Sequence, residues 1–152
     1  MLTLLAVIKV VIALLWATNV YNWYRKTAPM AAGLVWSTAM SPLDYERYCR
    51  DVLRQVGWHA NTTSASGDQG IDVLADKNGV HIVIQCKLYT KPVGNSAVQQ
   101  ALAGRAYARA HLAVVVSNAS YTPSARALAR RTGVHLLHHN DLLRADRLFL
   151  TS

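Results

Sequence analysis

Apolar positions along this chain change period twice, and each change predicts an element. Tyr45, Tyr48, Cys49, Val52, Leu53 and Val56 recur at i, i+3, i+4, i+7, i+8 and i+11, which gathers them on one helical face. Ser41-Pro42-Leu43-Asp44 ahead of them supplies an N-cap, a proline for the first turn and an acid at the third position, much like a capping box. Gly57 is a natural stop. Val80 to Leu88 is an apolar run entered through Asn78-Gly79, a two-residue hairpin signal because both central positions of a type I′ turn need positive φ. Further on, Asn95 to Ala110 reads as an alanine-rich helix and His111 to Ser117 as a buried strand. A second helix runs from Pro123 to Thr132, opening at Thr122-Pro123 and closing at Gly133. Val134 to Leu137 is a last short strand, followed by a terminal helix from about Asn140 to Arg147. Strand–helix–strand order from Val80 to Ser117 implies a parallel crossover. The fold class is therefore α/β, a sandwich of helices around a mixed central sheet.

Polar residues placed against this pattern carry the chemistry. With Asn78-Gly79 as the turn, Lys77 pairs with Val80, and counting outward sets Asp72 opposite Gln85. Opposed residues share a sheet face, and Lys87 joins them at the two-residue period of a strand. Cys86 and Ile84 then point the other way, into the core. An acid, an amide and an amine on one sheet face can hold a divalent metal against a phosphodiester. Gln85 and Lys87 lie inside an apolar run, where polar side chains are costly unless used. Gly67 and Gly70 flank the preceding loop, Gly67-Asp68-Gln69-Gly70-Ile71-Asp72, and allow positive φ and close backbone approach. Taken alone, that hexapeptide reads as an ordinary turn, Lys87 as an exposed strand lysine, and Glu46, at the edge of the helical stripe, as a solvated acid.

The order and spacing of these elements resemble the catalytic domain of Mrr-type restriction endonucleases, within the PD-(D/E)xK nuclease superfamily, over about Ser41 to Leu143. The resemblance rests on Tyr45-Glu46, Gly57-Trp58, the Gly-Asp-Gln-Gly-Ile-Asp loop, Gln85-Cys86-Lys87, Lys91-Pro92-Val93-Gly94, Val114-Val115-Val116-Ser117 and Tyr121-Thr122-Pro123. It implies a restriction endonuclease-like fold, with Asp72 as the metal-binding acid and Glu46 as the helix acid. Gln85 stands in the place of the family's second acid, and Lys87 is the catalytic lysine. The metal would be Mg²⁺ or Mn²⁺, held by Asp72, the Cys86 backbone carbonyl and Glu46 or Gln85, since hard cations favour oxygen ligands. DNA is the implied partner, and a homodimer is expected where both strands are cut.

Composition adds an appendage to this domain. Hydrophobic content is 52%, and the excess lies at the start. Leu2 to Ala17 is apolar except for Thr3 and Lys9, and Tyr21, Trp23, Tyr24, Arg25 and Lys26 follow. Aromatic residues and a basic pair after an apolar run fit a transmembrane anchor with its C-terminal side in the cytoplasm. A secretory signal and a cytosolic docking helix compete with that reading, and Lys9 at the bilayer centre would cost roughly 2.5–3.5 kcal/mol. The expected organisation is residues 1–26 as membrane anchor, 27–40 as apolar linker or interfacial segment, and 41–152 as the endonuclease domain.

The net charge of +8 is unevenly spread. Residues 41–99 carry six basic and six acidic side chains, whereas 100–152 carry seven arginines against Asp141 and Asp146. Acids kept near the proposed metal site and arginines elsewhere suit a polyanionic partner. Arg105 and Arg109, at i, i+4 on the first crossover helix, and Arg126 and Arg130 on the next are the candidate phosphate contacts; for each alone, a solvated helix face explains it as well. Gln99 and Gln100 fall on the first of these helices, near the sheet. Cys49 and Cys86 occupy core-facing positions without metal-ligand spacing and read as buried thiols. His135, His138 and His139 straddle a strand end without a cysteine or acid at ligand spacing, and read as surface or turn histidines rather than a zinc site. The two readings of function are a metal-dependent deoxyribonuclease and a membrane-anchored nucleic-acid-binding module whose nuclease site is idle.

Overall fold

The computed structural model describes residues 34–63 and 70–151. The expected anchor, residues 1–26, lies outside them, as do Gly67, Asp68 and Gln69 of the glycine-rich loop. No described helix is long and apolar enough to cross a membrane.

The chain runs α1 (Pro42–Gln55), β1 (His59–Thr62), β2 (Val73–Lys77), β3 (Val80–Lys87), α2 (Asn95–Ala108), β4 (Leu112–Ser117), α3 (Pro123–Thr132) and β5 (His135–His138). A 3₁₀ helix (His139–Arg144) and a short α4 (Ala145–Phe149) close it. The five strands form one sheet in the order β1-β2-β3-β4-β5. The first three pair antiparallel, and β3, β4 and β5 pair parallel through helical crossovers. The sheet is therefore mixed, as the element order implied.

Helix α1 starts where its sequence signals place it. Ser41 Oγ accepts from the Asp44 N–H at 3.1 Å and donates to the Asp44 carboxylate at 2.7 Å, with Pro42 in the first turn. Its stripe, Tyr45, Tyr48, Cys49, Val52 and Leu53, is buried. It packs with Leu142 and Phe149 on one sheet face, over Val73, Ala75, Ile82, Ile84, Cys86, Val114 and Val116. Leu34, Trp36 and Met40, within the stretch expected as linker or interfacial segment, pack against this same cluster. Helices α2 and α3 cover the other face, over Val83, Ala113 and Val115. With helices on both faces, β3 and β4 are buried on both, which explains their unbroken apolar runs.

Two local features differ from the sequence reading. Helix α2 ends at Ala108, and Arg109 is its C-cap at φ 51°, in the left-handed region. The Ala110 N–H bonds back to the Arg105 carbonyl at 3.0 Å, so the chain has left the helix before Arg109 can share a face with Arg105. His139 is not a surface histidine. It is 1% exposed, enclosed by Trp36, Tyr45 and Tyr48 at ring-centroid distances of 5.0, 5.8 and 5.6 Å. Its Nδ1 lies 3.2 Å from the Tyr45 hydroxyl. The 3₁₀ turn after β5 carries it inward, against α1.

Candidate active site

The β2–β3 hairpin turns at Asn78-Gly79, both at positive φ, with Lys77 paired to Val80 and Val73 to Ile84. The counted register therefore holds along β2, but it breaks at Asp72. The Asp72 N–H donates to the Ile84 carbonyl at 2.9 Å, so Asp72 and Val73 both face Ile84. Two residues against one is a β-bulge, which kinks the strand and re-aims its side chains. Ile71 and Val73 confirm the break: two apart, they pack into clusters on opposite faces of the sheet, where unbroken alternation would put them on one.

The bulge swings the Asp72 carboxylate across the start of the hairpin. Its Oδ2 accepts from the Cys86 backbone N–H at 2.6 Å and from the Gln85 side-chain amide. The acid and the amide thus meet, although by a different register from the one counted. Gln85 is 4% exposed. Its Nε2 is committed to Asp72, while its Oε1 is buried with no hydrogen-bond partner among the described residues. A buried carbonyl oxygen without a donor is costly, and such an oxygen beside a carboxylate is suited to a cation.

Gly70 lies against that oxygen, where a side chain would not fit. A Cβ built there would stand 3.0 Å from Gln85 Oε1 and 2.9 Å from the Gln100 Cβ, and φ is +80°. Gln100, on α2, therefore borders the site; its only sequence signal was a place on a helix near the sheet.

Lys87 ends β3, half-buried, in parallel register with Ser117 of β4. Ser117 Oγ donates to the Lys87 carbonyl at 2.7 Å and accepts from the Ala119 N–H at 3.0 Å, which fixes the backbone that presents the lysine. Glu46 is half-buried on α1, the helix whose apolar stripe packs on the sheet face that holds Cys86. The Cys86 thiol is held well above its ordinary pKa by its contact with the Cys49 thiol first, then by burial, and further by the nearby Asp72 and Glu46 carboxylates. Asp72 comes from the hairpin, where it bonds the Cys86 N–H, and Glu46 is carried by α1, the helix packed on the Cys86 face of the sheet. Cys49 and Cys86 are buried and free, the core positions their spacing implied.

The arginines lie apart from these groups in the chain. Arg105 is half-buried near the end of α2, and Arg109, Arg126 and Arg130 are exposed. The Arg126 guanidinium stands 5.9 Å from the Tyr121 ring centroid.

The architecture and residue order match known proteins. A family model described as restriction endonuclease, Mrr catalytic domain, matches residues 37–145. No curated protein matches the chain. Among solved structures, a protein of unknown function, AF1548, aligns at 20% identity and TM-score 0.54, over 69% of this chain and 65% of its own. The MspJI restriction endonuclease, solved with a 27-mer oligonucleotide, aligns at 20% identity and TM-score 0.44, over 86% of this chain and 30% of its own. A repair endonuclease from Pyrococcus abyssi aligns at 18% identity and TM-score 0.46, over 68% and 48%. The chain thus spans less than two thirds of the length of each of these proteins. At such identities the first of them supports the fold, and the family model does the rest: with that match covering most of its length, this chain belongs to the Mrr-type restriction endonuclease catalytic-domain family.

Proposed function

We propose that this protein is a metal-dependent DNA endonuclease that hydrolyses phosphodiester bonds, with its site at Asp72, Gln85, Lys87 and Glu46. The observation that carries the reading is the Asp72 carboxylate, pinned by the Cys86 N–H and the Gln85 amide beside the orphaned, buried Gln85 Oε1. Hard oxygen donors of this kind fit Mg²⁺ or Mn²⁺. Asp72, Glu46, the Cys86 carbonyl and Gln85 Oε1 are the residues that would hold the ion. When bound, the ion supplies a polarised phosphate and a water of lowered pKa.

The protein's own residues do the rest. Two donors orient the Asp72 carboxylate, so it meets a cation without reorganising. Lys87, at the strand end, orients the attacking water and offsets charge that develops on the phosphate oxygens. Gln85 contributes a neutral oxygen where the family's common pattern has an acid, which leaves Glu46 to complete the negative charge. The Gln85 exchange is also the observation that favours the second reading, a nucleic-acid-binding module with an idle site. As further parts of the proposal, the apolar leader, residues 1–26, tethers the domain to a membrane with the domain on the cytoplasmic side, and cutting of both strands requires a homodimer.

The test is cleavage of supercoiled and branched DNA with Mg²⁺, Mn²⁺ or EDTA, by the wild type and by Asp72→Ala. Cutting that needs the metal and disappears in the variant supports the enzyme. Salt-sensitive binding without any cutting, unchanged in the variant, supports the idle module.

A further inference from the structure

The loops after β3 and β4 leave a cleft of about 670 Å³ that the proposed chemistry does not use. That volume lies within the ~300–1,000 Å³ of ordinary ligand sites. Trp36, Leu88, Tyr89, Lys91, Pro92 and Asn118 are among its walls, and no carboxylate is among its described lining residues.

Three features of this cleft point to one occupant. First, its aromatic wall is built and presented rather than buried. Tyr89 is 45% exposed, and its backbone is held from both sides by one side chain. The Tyr89 N–H donates to Asn118 Oδ1 at 2.8 Å, and Asn118 Nδ2 donates to the Tyr89 carbonyl at 2.9 Å. Asn118 thereby clamps the β3–α2 loop to the β4–α3 loop and leaves the phenol ring facing outward. Second, the charge among its described lining residues is positive: Lys91 lines the cleft and is exposed, beside the neutral Thr90, Asn118 and Ser120. Third, Tyr89 follows Lys87 by two residues, a reach of about 7 Å along an extended backbone. A phosphate held at Lys87 therefore brings the adjoining nucleotide to the cleft mouth.

We infer that this cleft receives an unpaired nucleobase of the DNA strand bound at the active site, stacked on Tyr89 with its phosphate against Lys91. This rests on the DNA reading above and deepens it. A base in a duplex is stacked on its neighbours and cannot enter a side cleft without being extruded, whereas a base in a single strand or at a branch is free to do so. Stacking on an aromatic ring tolerates any base. The cleft therefore selects for strand form rather than for sequence.

The test uses the full chain in EDTA, where binding is read without cleavage, with labelled single-stranded DNA, a duplex of the same sequence, and the same single strand made abasic. Tyr89→Ala is expected to weaken binding to the single strand about tenfold, to leave the duplex unchanged and to leave the abasic strand unchanged. Tyr89→Phe keeps the wild-type preference, because the ring remains. Equal loss on single strand and duplex, no loss on either, or the same loss on the abasic strand overturns the inference. A concentration-dependent dimer that Tyr89→Ala dissolves would place a second copy of the chain in the cleft and overturns it as well. Cleavage in Mg²⁺ by the wild type and by Asp72→Ala, measured in parallel, judges the nuclease reading separately: an idle site leaves the Tyr89 result intact, and an active one does not rescue it.

Discussion

Two buried side chains make opposite demands on their surroundings. His139 packs among Trp36, Tyr45 and Tyr48, and burial first, then the neighbouring His138, pushes its pKa down to about 4. The unfolded chain binds that proton at the ordinary value of 6.5, so the folded state is the weaker base. Stability is then full above pH 6.5 and is lost as pH falls towards about 4, by roughly 3 kcal/mol over the whole interval. Chemical denaturation at stepped pH should show this slope, and His139→Phe should flatten it. A variant that keeps the slope would place the acid sensitivity elsewhere. Gln85 is the second case. Its Nε2 donates to Asp72, so Gln85→Glu would set two carboxylates against each other and raise the pKa of one of them. The expected result is a lower melting temperature in EDTA and a larger upward shift on adding Mg²⁺ than the wild type shows. Equal shifts in both proteins would argue that position 85 faces no cation.

At the scale of elements, α2 is fitted to the sheet by its smallest residues. A Cβ at Gly104 would fall 2.6 Å from Ile71 Cγ1, so Gly104→Ala gains helix propensity yet forces the helix off the strand entry, at a net cost of about 1–3 kcal/mol. Adding Ile71→Val, which shortens the opposing side chain but keeps its branch, should recover only part of that, because Cγ1 itself is the closest atom; full independence of the two changes would refute the contact. Helix α1, the Asn78-Gly79 turn and the strand β4 were legible because their signals are local: a cap, a turn residue, a buried run. The bulge at Asp72 was not, since the Asp72 and Val73 side chains resemble those of any strand entry, and the extra residue shows in the bond to the Ile84 carbonyl and in Ile71 and Val73 packing on opposite faces. The acid and amide still meet because the bulge turns the Asp72 carboxylate onto the Cys86 N–H and the Gln85 amide. Strand β1 was missed for the opposite reason. Its four residues, His59-Ala60-Asn61-Thr62, alternate exposed and buried at an edge, too short a stretch for periodicity to show. The position of His139 depends on a 3₁₀ turn folding back onto α1, a tertiary contact that spacing along the chain does not encode.

On the scale of the whole molecule, charge and chemistry are divided between the two layers of the sandwich. Helix α1 brings Glu46, while α2, α3 and their caps carry Arg105, Arg109, Arg126, Arg130 and Arg131. Arg130 is exposed, and Arg126, although near Tyr121, is exposed as well. Among the described residues neither forms an ion pair, so both are open to a polyanion. If they meet DNA phosphates, each releases about 0.9 counterion from duplex DNA. Replacing both with alanine should therefore flatten the slope of log affinity against log salt by roughly 1.8. It should weaken duplex binding uniformly across sequences and leave cleavage at saturating DNA near the wild-type rate, as expected of arginines that position the duplex by phosphates other than the scissile one. A slope that does not move would assign this face to solvent and the DNA path to the Lys87 and Lys91 side. A lost maximal rate would instead place the arginines within reach of the scissile bond.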